Sequence, residues 1–258
     1  MRSVLLATAL FLFSFAQAQK KPTVTKDDQL KTQASTSIQS NYDQYKTMAF
    51  QIWDYAEVGY KEVKSSALLQ QTLKENGFTV EAGVAGIPTA FVATYGSGQP
   101  VIAILAEFDA LPGLSQTNAP EKTSAGKDAG HACGHHLFGV ASAAAGIALK
   151  KAMDAGQIKG TIKLFGCPAE EGGSGKVYMV RDGLFNGVDA VIHWHPDYEN
   201  SITMTSALAN KSAKFRFKGL SAHAAMAPAT REIATTALMS RIGCSVSGKR
   251  GTSDFDAG

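Results

Sequence analysis

The chain has 258 residues, enough for one large domain or two smaller ones. Apolar residues make up 45% and charged residues 18%, the balance of a soluble globular protein with material for a sizeable core. The net charge is +3, with Arg2, Lys20, Lys21 and Lys26 crowded near the N-terminus. There is no basic stripe and no acidic tail, which argues against nucleic acid or a highly charged partner.

Residues 1–18 differ from the rest. Arg2 precedes an apolar run from Val4 to Phe15, and Ala16-Gln17-Ala18 gives a small-x-small cleavage pattern. The run is short of the roughly 20 apolar residues that span a bilayer. It reads as a secretory signal peptide, with an exported product that has no membrane segment after cleavage. Export permits disulfides. Yet Cys133, Cys167 and Cys244 are odd in number and sparse, which suits a metal ligand or buried thiols better than staples.

Residues 19–40 are polar and read as an N-terminal arm leading into a helix. Apolar residues at Tyr45, Met48, Ala49, Ile52, Trp53 and Ala56 have helical spacing over residues 41–56. A second helix is predicted over 63–76, stopped by Gly77. Strands follow at 89–95 and 101–106, around a Gly96-Ser97-Gly98 turn. Residues 111–130 have no periodicity and form a long loop of a length that is often functional. A small-residue helix is expected over 137–153, a buried strand over 161–166, a helix over 176–181 and a strand over 188–193. This alternation predicts an α/β fold with a mostly parallel sheet sandwiched by helices. Near residue 207 the pattern changes. Residues 213–218 alternate Phe215 and Phe217 with Lys214, Arg216 and Lys218, as in a half-exposed antiparallel strand. A second domain begins there. There are no internal repeats.

Chemistry-bearing residues fall in three clusters. The first, His131-Ala-Cys133-Gly-His135-His136, lies between the long loop and a helix. A thiolate and an imidazole both suit zinc-like metals, and a turn at the glycine aims both at one point. A buried thiol beside helix-capping histidines is an equally good reading of these residues alone. The second cluster, Cys167-Pro-Ala-Glu170-Glu171-Gly-Gly, directly follows a strand, where open α/β sheets place their sites. One carboxylate can bind metal while the other moves a proton. A solvated acidic turn is the bland alternative. The third, His193-Trp-His195-Pro196, also ends a strand. One of its histidines is plausible as a ligand and either as a core imidazole, while Trp194 is assigned to packing. Taken together, five metal-competent groups at three loops of one sheet favour a common site.

These segments, with Ala106-Glu-Phe-Asp109-Ala-Leu-Pro and Gly219-Leu-Ser-Ala-His223, resemble the M20 metallopeptidase and amidohydrolase family. The similarity is to its aminoacylase-like branch, which includes auxin-conjugate hydrolases and p-aminobenzoyl-glutamate hydrolase B subunits. It runs in family order over residues 40–228. The resemblance implies a zinc-exopeptidase-like catalytic domain over 41–206 and an inserted α+β lid and dimerisation domain from 207. It implies two divalent metal ions, with zinc favoured by the cysteine and manganese or cobalt open. Cys133, His135, Glu171 and His195 are implied as metal ligands. Glu170 is implied as the general base that activates water and later protonates the leaving amine. Asp109 is implied to orient a ligand. His223 is implied to stabilise the oxyanion across a homodimer.

The implied activity is metal-dependent hydrolysis of a small-molecule amide, an N-acyl or aminobenzoyl amino-acid conjugate. A dipeptidase or carboxypeptidase and a noncatalytic metal-binding protein are the alternatives. Two departures stand out. His136 replaces the Asn or Asp usual in relatives, and is either another residue that orients a ligand or a competing ligand. Residues 229–258 lose the resemblance. They predict a truncated or frameshifted chain whose C-terminal catalytic part, and with it one ligand, is missing.

Overall fold

The computed structural model describes residues 24–202. The expectations for the signal segment, the strand at 213–218, the lid, His223 and Cys244 lie outside these residues. The described part opens with three helices, α1 (Lys26–Ser40), α2 (Tyr42–Tyr55) and α3 (Val63–Glu75). The segment expected as an arm is therefore a helix from Lys26 onward. Its apolar stripe is thin, Leu30, Ala34 and Ile38 at four-residue spacing, and Thr25 and Asp28 form a reciprocal capping box that satisfies its first amides.

The strands are β1 (Thr79–Ala82), β2 (Phe91–Ser97), β3 (Val101–Glu107), β6 (Gly160–Cys167) and β7 (Ala190–Ile192), with a small ladder of β4 (Leu111–Pro112) and β5 (Ala129–Gly130) pinching the ends of the long loop. Helices α4 (His135–Asp154), α5 (Glu170–Gly173) and α6 (Gly175–Arg181) complete the order. The main sheet runs β1-β2-β6-β3-β7. β3 pairs in parallel with β6 and β7, but β2 is antiparallel to both β1 and β6. The sheet is thus mixed, not mostly parallel. The short Gly/Pro link between β2 and β3 contains no crossover helix. β1 escaped the sequence reading because it is a mostly exposed edge strand with little apolar signal.

Alternation along the strands builds two cores. Phe91, Ala93, Ile104, Ala106, Ile162 and Leu164 face α2, α3 and α4. Val92, Ala103, Leu105, Phe165 and Cys167 face Met179 of α6 and the loops beside it. The sheet is filled on both faces, so β3 and β6 are held rigidly. Their carboxyl ends, Glu107 and Cys167, are paired in register, and the functional loops leave from that line. Among the described residues, no helix is long and apolar enough to cross a membrane.

Candidate metal centre

Three loops meet at the carboxyl end of the sheet. The first follows β3 and carries Asp109, which is fully buried. The second turns at Gly134, the N-cap of α4, whose φ of 86° lies in the left-handed region that glycine enters without strain. This turn places Cys133 before the helix and His135 at its first residue. The third follows β6. Ala169 takes a left-handed conformation (φ 55°, ψ 44°) and leads into the short α5 that holds Glu170 and Glu171.

His135 is the centre of the arrangement and is fully buried. Its Nδ1 stands 2.9 Å from Asp109 Oδ1 and 3.0 Å from the Asp109 carbonyl oxygen. Both are acceptors, so Nδ1 carries a proton and Nε2 is the nitrogen left to face a cation, which would displace any proton held there. The other Asp109 oxygen, Oδ2, accepts the backbone N–H of Glu171 at 2.8 Å. One carboxylate thereby fixes a ring and the acidic turn together. His195 repeats the pattern: Nδ1 donates to the Pro196 carbonyl at 2.9 Å, and Nε2 faces Cys133 Sγ at 3.4 Å.

Around His135 Nε2 lie Glu107 Oε2 at 3.0 Å, Glu170 Oε2 at 3.8 Å and Glu171 Oε1 at 4.0 Å. Nε2 and Glu171 Oε1 are buried without a hydrogen-bond partner. The contact with Glu107 is an ion-pair approach between a buried carboxylate and the ring. Two donor sets result, Cys133–His135–His195 and Glu107–His135–Glu170, each with its ligand atoms within 4.8 Å of one another. Buried polar atoms left unmatched and aimed at one point fit a divalent cation, and the thiolate and imidazole donors fit zinc or a similar metal.

Electrostatics point the same way. Burial pushes the Cys133 thiol up, and Glu171, Glu170 and Glu107 raise it further, to about 12. A cation among them would reverse the balance, since a coordinating thiol is deprotonated outright. Burial lowers the pKa of His135, but Asp109 and Glu107 outweigh it and raise it to about 10. Glu107 is raised by burial and lowered more by His135 and Lys176, to about 2. Glu170 is raised by burial first and then by the charge of Glu107.

All five residues singled out from the sequence meet here, Glu170 partly exposed and Glu171 mostly covered. His193 stands apart from His195. Its Nε2 is 3.5 Å from Glu107 Oε1, and its ring meets the edge of Phe138. His136 is in neither donor set. Its ring packs on Trp53 and His131, and burial lowers its pKa to about 4. The sequence reading missed Glu107 and Lys176, which pair with each other. Glu107 was legible in principle: it lies two residues before Asp109 at a strand end, where alternate residues share a side. Lys176 was not, because only the tertiary fold brings α6 to β3.

Comparison with known proteins agrees with this geometry. Residues 103–257 match the model of peptidase family M20/M25/M40. The chain is 46% identical over 195 residues to the p-aminobenzoyl-glutamate hydrolase B component of Escherichia coli, covering 74% of this chain and 40% of that protein. It is 35% identical over 184 residues to N-acetyl-L-cysteine deacetylase of Bacillus subtilis, covering 67% and 42%. A solved Bacillus subtilis dinuclear metal binding peptidase of the M20 family superposes with a TM-score of 0.55 at 27% identity, over 62% of this chain and 44% of that one. The chain therefore spans less than half the length of these relatives. With a family match over more than half of its residues, the chain belongs to the M20 peptidase and amidohydrolase family.

Proposed function

We propose that the chain carries a site for metal-dependent hydrolysis of the amide bond in N-acyl or aminobenzoyl amino-acid conjugates. The observation that carries this reading is the pair of buried, unmatched ligand atoms, His135 Nε2 and Glu171 Oε1, beside the more open carboxylate of Glu170. Cys133, His135, Glu171 and His195 would hold divalent metal, which when bound supplies Lewis-acid polarisation of the amide carbonyl. Asp109 holds His135 in the tautomer that presents Nε2. Glu170, whose pKa is raised by burial and by the charge of Glu107, takes a proton from attacking water and returns it to the leaving amine. A pure binding site has no use for a second, solvent-reachable carboxylate next to the ligand carboxylate.

Identity to the aminobenzoyl-glutamate hydrolase component and to the deacetylase supports amide conjugates of amino acids as the substrate class. His223 is proposed to stabilise the oxyanion in a homodimer, and residues 1–18 to direct export. The test is a zinc, manganese and cobalt titration, followed by hydrolysis assays on aminobenzoyl-glutamate, N-acetyl amino acids and simple dipeptides. Metal binding with turnover of the acylated substrates supports the reading. Preferential turnover of dipeptides moves it to the peptidase alternative, and metal binding without any turnover moves it to a binding protein.

A further inference from the structure

We propose that residues 56–62, the strap between α2 and α3, are positioning residues for the Glu170–Glu171 turn, acting through Gly59, Tyr60 and Glu62. This rests on the metal-site reading for its function, though not for its geometry. The strap touches the turn at three places. Glu62 is fully buried, and its Oε1 accepts the backbone N–H of Ala169 at 2.7 Å, while Oε2 accepts the Thr89 hydroxyl at 3.0 Å. Tyr60 donates its hydroxyl to the carbonyl of Gly173, at the far end of the turn. Gly59 lies flat beneath the turn: a Cβ there would stand 3.0 Å from Ala169 Cα and Cβ and 3.7 Å from Asp109 Oδ2.

The turn needs this support. Ala169 and Ser174, which bracket it, are both non-glycine residues in the left-handed region, as are Ala56 and Tyr60 in the strap. Such conformations persist only where the surroundings over-determine them, and they gather at functional sites. Glu170 and Glu171 follow Ala169 directly, so its backbone sets where both carboxylates point. The strap itself is anchored. Glu57 accepts the amides of Lys64 and Ser65 at the start of α3, and its carbonyl accepts the Ala110 amide at 2.8 Å. Strand β3, the strap and the acidic turn therefore form one unit, and no residue of the strap is itself a ligand candidate among the described residues.

The experiment compares the full chain with Glu62→Ala, Glu62→Gln, Tyr60→Phe and Gly59→Ala by two readouts. The first is amide hydrogen exchange of the peptide containing residues 166–175. The second is cobalt affinity, with the visible absorption spectrum of the bound ion. Glu62→Ala should speed exchange of the Ala169 amide about tenfold, the loss of one hydrogen bond. It should weaken cobalt binding about 10- to 100-fold, as changes behind metal ligands do. Glu62→Gln, which retains an acceptor for Ala169, should restore most of both. Leu73→Ala, which empties core space in α3 away from the turn, sets the effect of general destabilisation and should leave the spectrum unchanged. If Glu62→Ala does not fold, Tyr60→Phe and Gly59→Ala must change the exchange of the same peptide. Unchanged exchange in every folded variant overturns the proposal. If the wild-type chain binds no cobalt while exchange still responds, the metal reading fails and the positioning stands.

Discussion

Replacing Asp109 by Asn tests the centre of the arrangement with the smallest change of shape. Asp109 is fully buried and spends both oxygens as acceptors, one for His135 Nδ1–H at 2.9 Å and one for the Glu171 amide at 2.8 Å. Asparagine has one acceptor oxygen. If that oxygen faces His135, the new NH2 meets the Glu171 N–H, and a buried donor is left unmatched. If it faces Glu171, the NH2 meets Nδ1 and favours the tautomer with the proton on Nε2, the atom that would bind metal. Either choice loses a charge-assisted hydrogen bond; the first strands a donor and the second sets the Nδ1 lone pair against the backbone carbonyl of position 109, and each costs about 2–3 kcal/mol. For a unit of this size that corresponds to a fall of about 4–12 °C in Tm. Metal affinity should drop about 10- to 100-fold, the usual effect of removing the group that orients a ligating histidine. Thermal melts of the metal-free chain and zinc titration against a chromophoric chelator measure the two effects separately. A variant that binds zinc within about twofold of wild type would refute the orienting role assigned to Asp109.

Glu170→Gln should leave metal affinity within about tenfold of wild type, while any amide turnover falls about 10²- to 10⁴-fold, the range for a lost general base. Parallel losses of affinity and turnover would instead make Glu170 a ligand. The metal-free chain should be most stable near pH 6.5. His131, held at about 4 by burial and then by the charge of His136, takes up protons more readily when unfolded. Its contribution is therefore present above the unfolded value near 6.5 and lost as pH falls toward 4, and His136 behaves alike. His135, raised to about 10, gives stability that is present below 6.5 and lost as pH rises through 10. Urea midpoints measured across this range in chelator check the profile, and a flat line from pH 4 to 6.5 contradicts it. Gly139→Ala should destabilise by about 1–2 kcal/mol after allowing for the better helix propensity of alanine. Its Cβ would lie 2.7 Å from the Glu107 carbonyl and force α4 away from β3. Urea unfolding measures the cost, and no loss of stability would mean that the helix has room to move.

Much of the fold was legible because its signals are periodic. The helices at 42–55 and 63–75 and the buried strand at 160–167 carry apolar residues at the spacing their geometry demands. The start of α4 was placed two residues late because nothing in His135-His136 reads as helical. Only the left-handed Gly134 shows that the turn ends there. The antiparallel entry of β2 into the sheet was misread for a related reason: alternation says that a strand is buried, not which way its neighbour runs. Polar α1 and exposed β1 gave only a thin apolar signal.

The site divides in the same way. Residues that would touch metal are chemically conspicuous, so the Cys-Gly-His, Glu-Glu and His-Trp-His clusters stood out by type and spacing, and the family resemblance singled out Cys133, His135, Glu171 and His195 within them. Residues that hold them are not. Glu62 looks in sequence like any solvated glutamate at the start of a helix, yet it is wholly enclosed and holds the Thr89 hydroxyl and a backbone amide more than a hundred positions away. Tyr60 and Lys176 are equally ordinary until the fold sets them on Gly173 and Glu107. A ligand is chosen for its atom, and that choice leaves a mark in the composition of a short segment. A support is chosen for where a distant backbone passes, and that mark exists only in three dimensions. The donor set identifies the chemistry from sequence, while the strap and the Asp109 bridge decide whether the donors ever reach a common point.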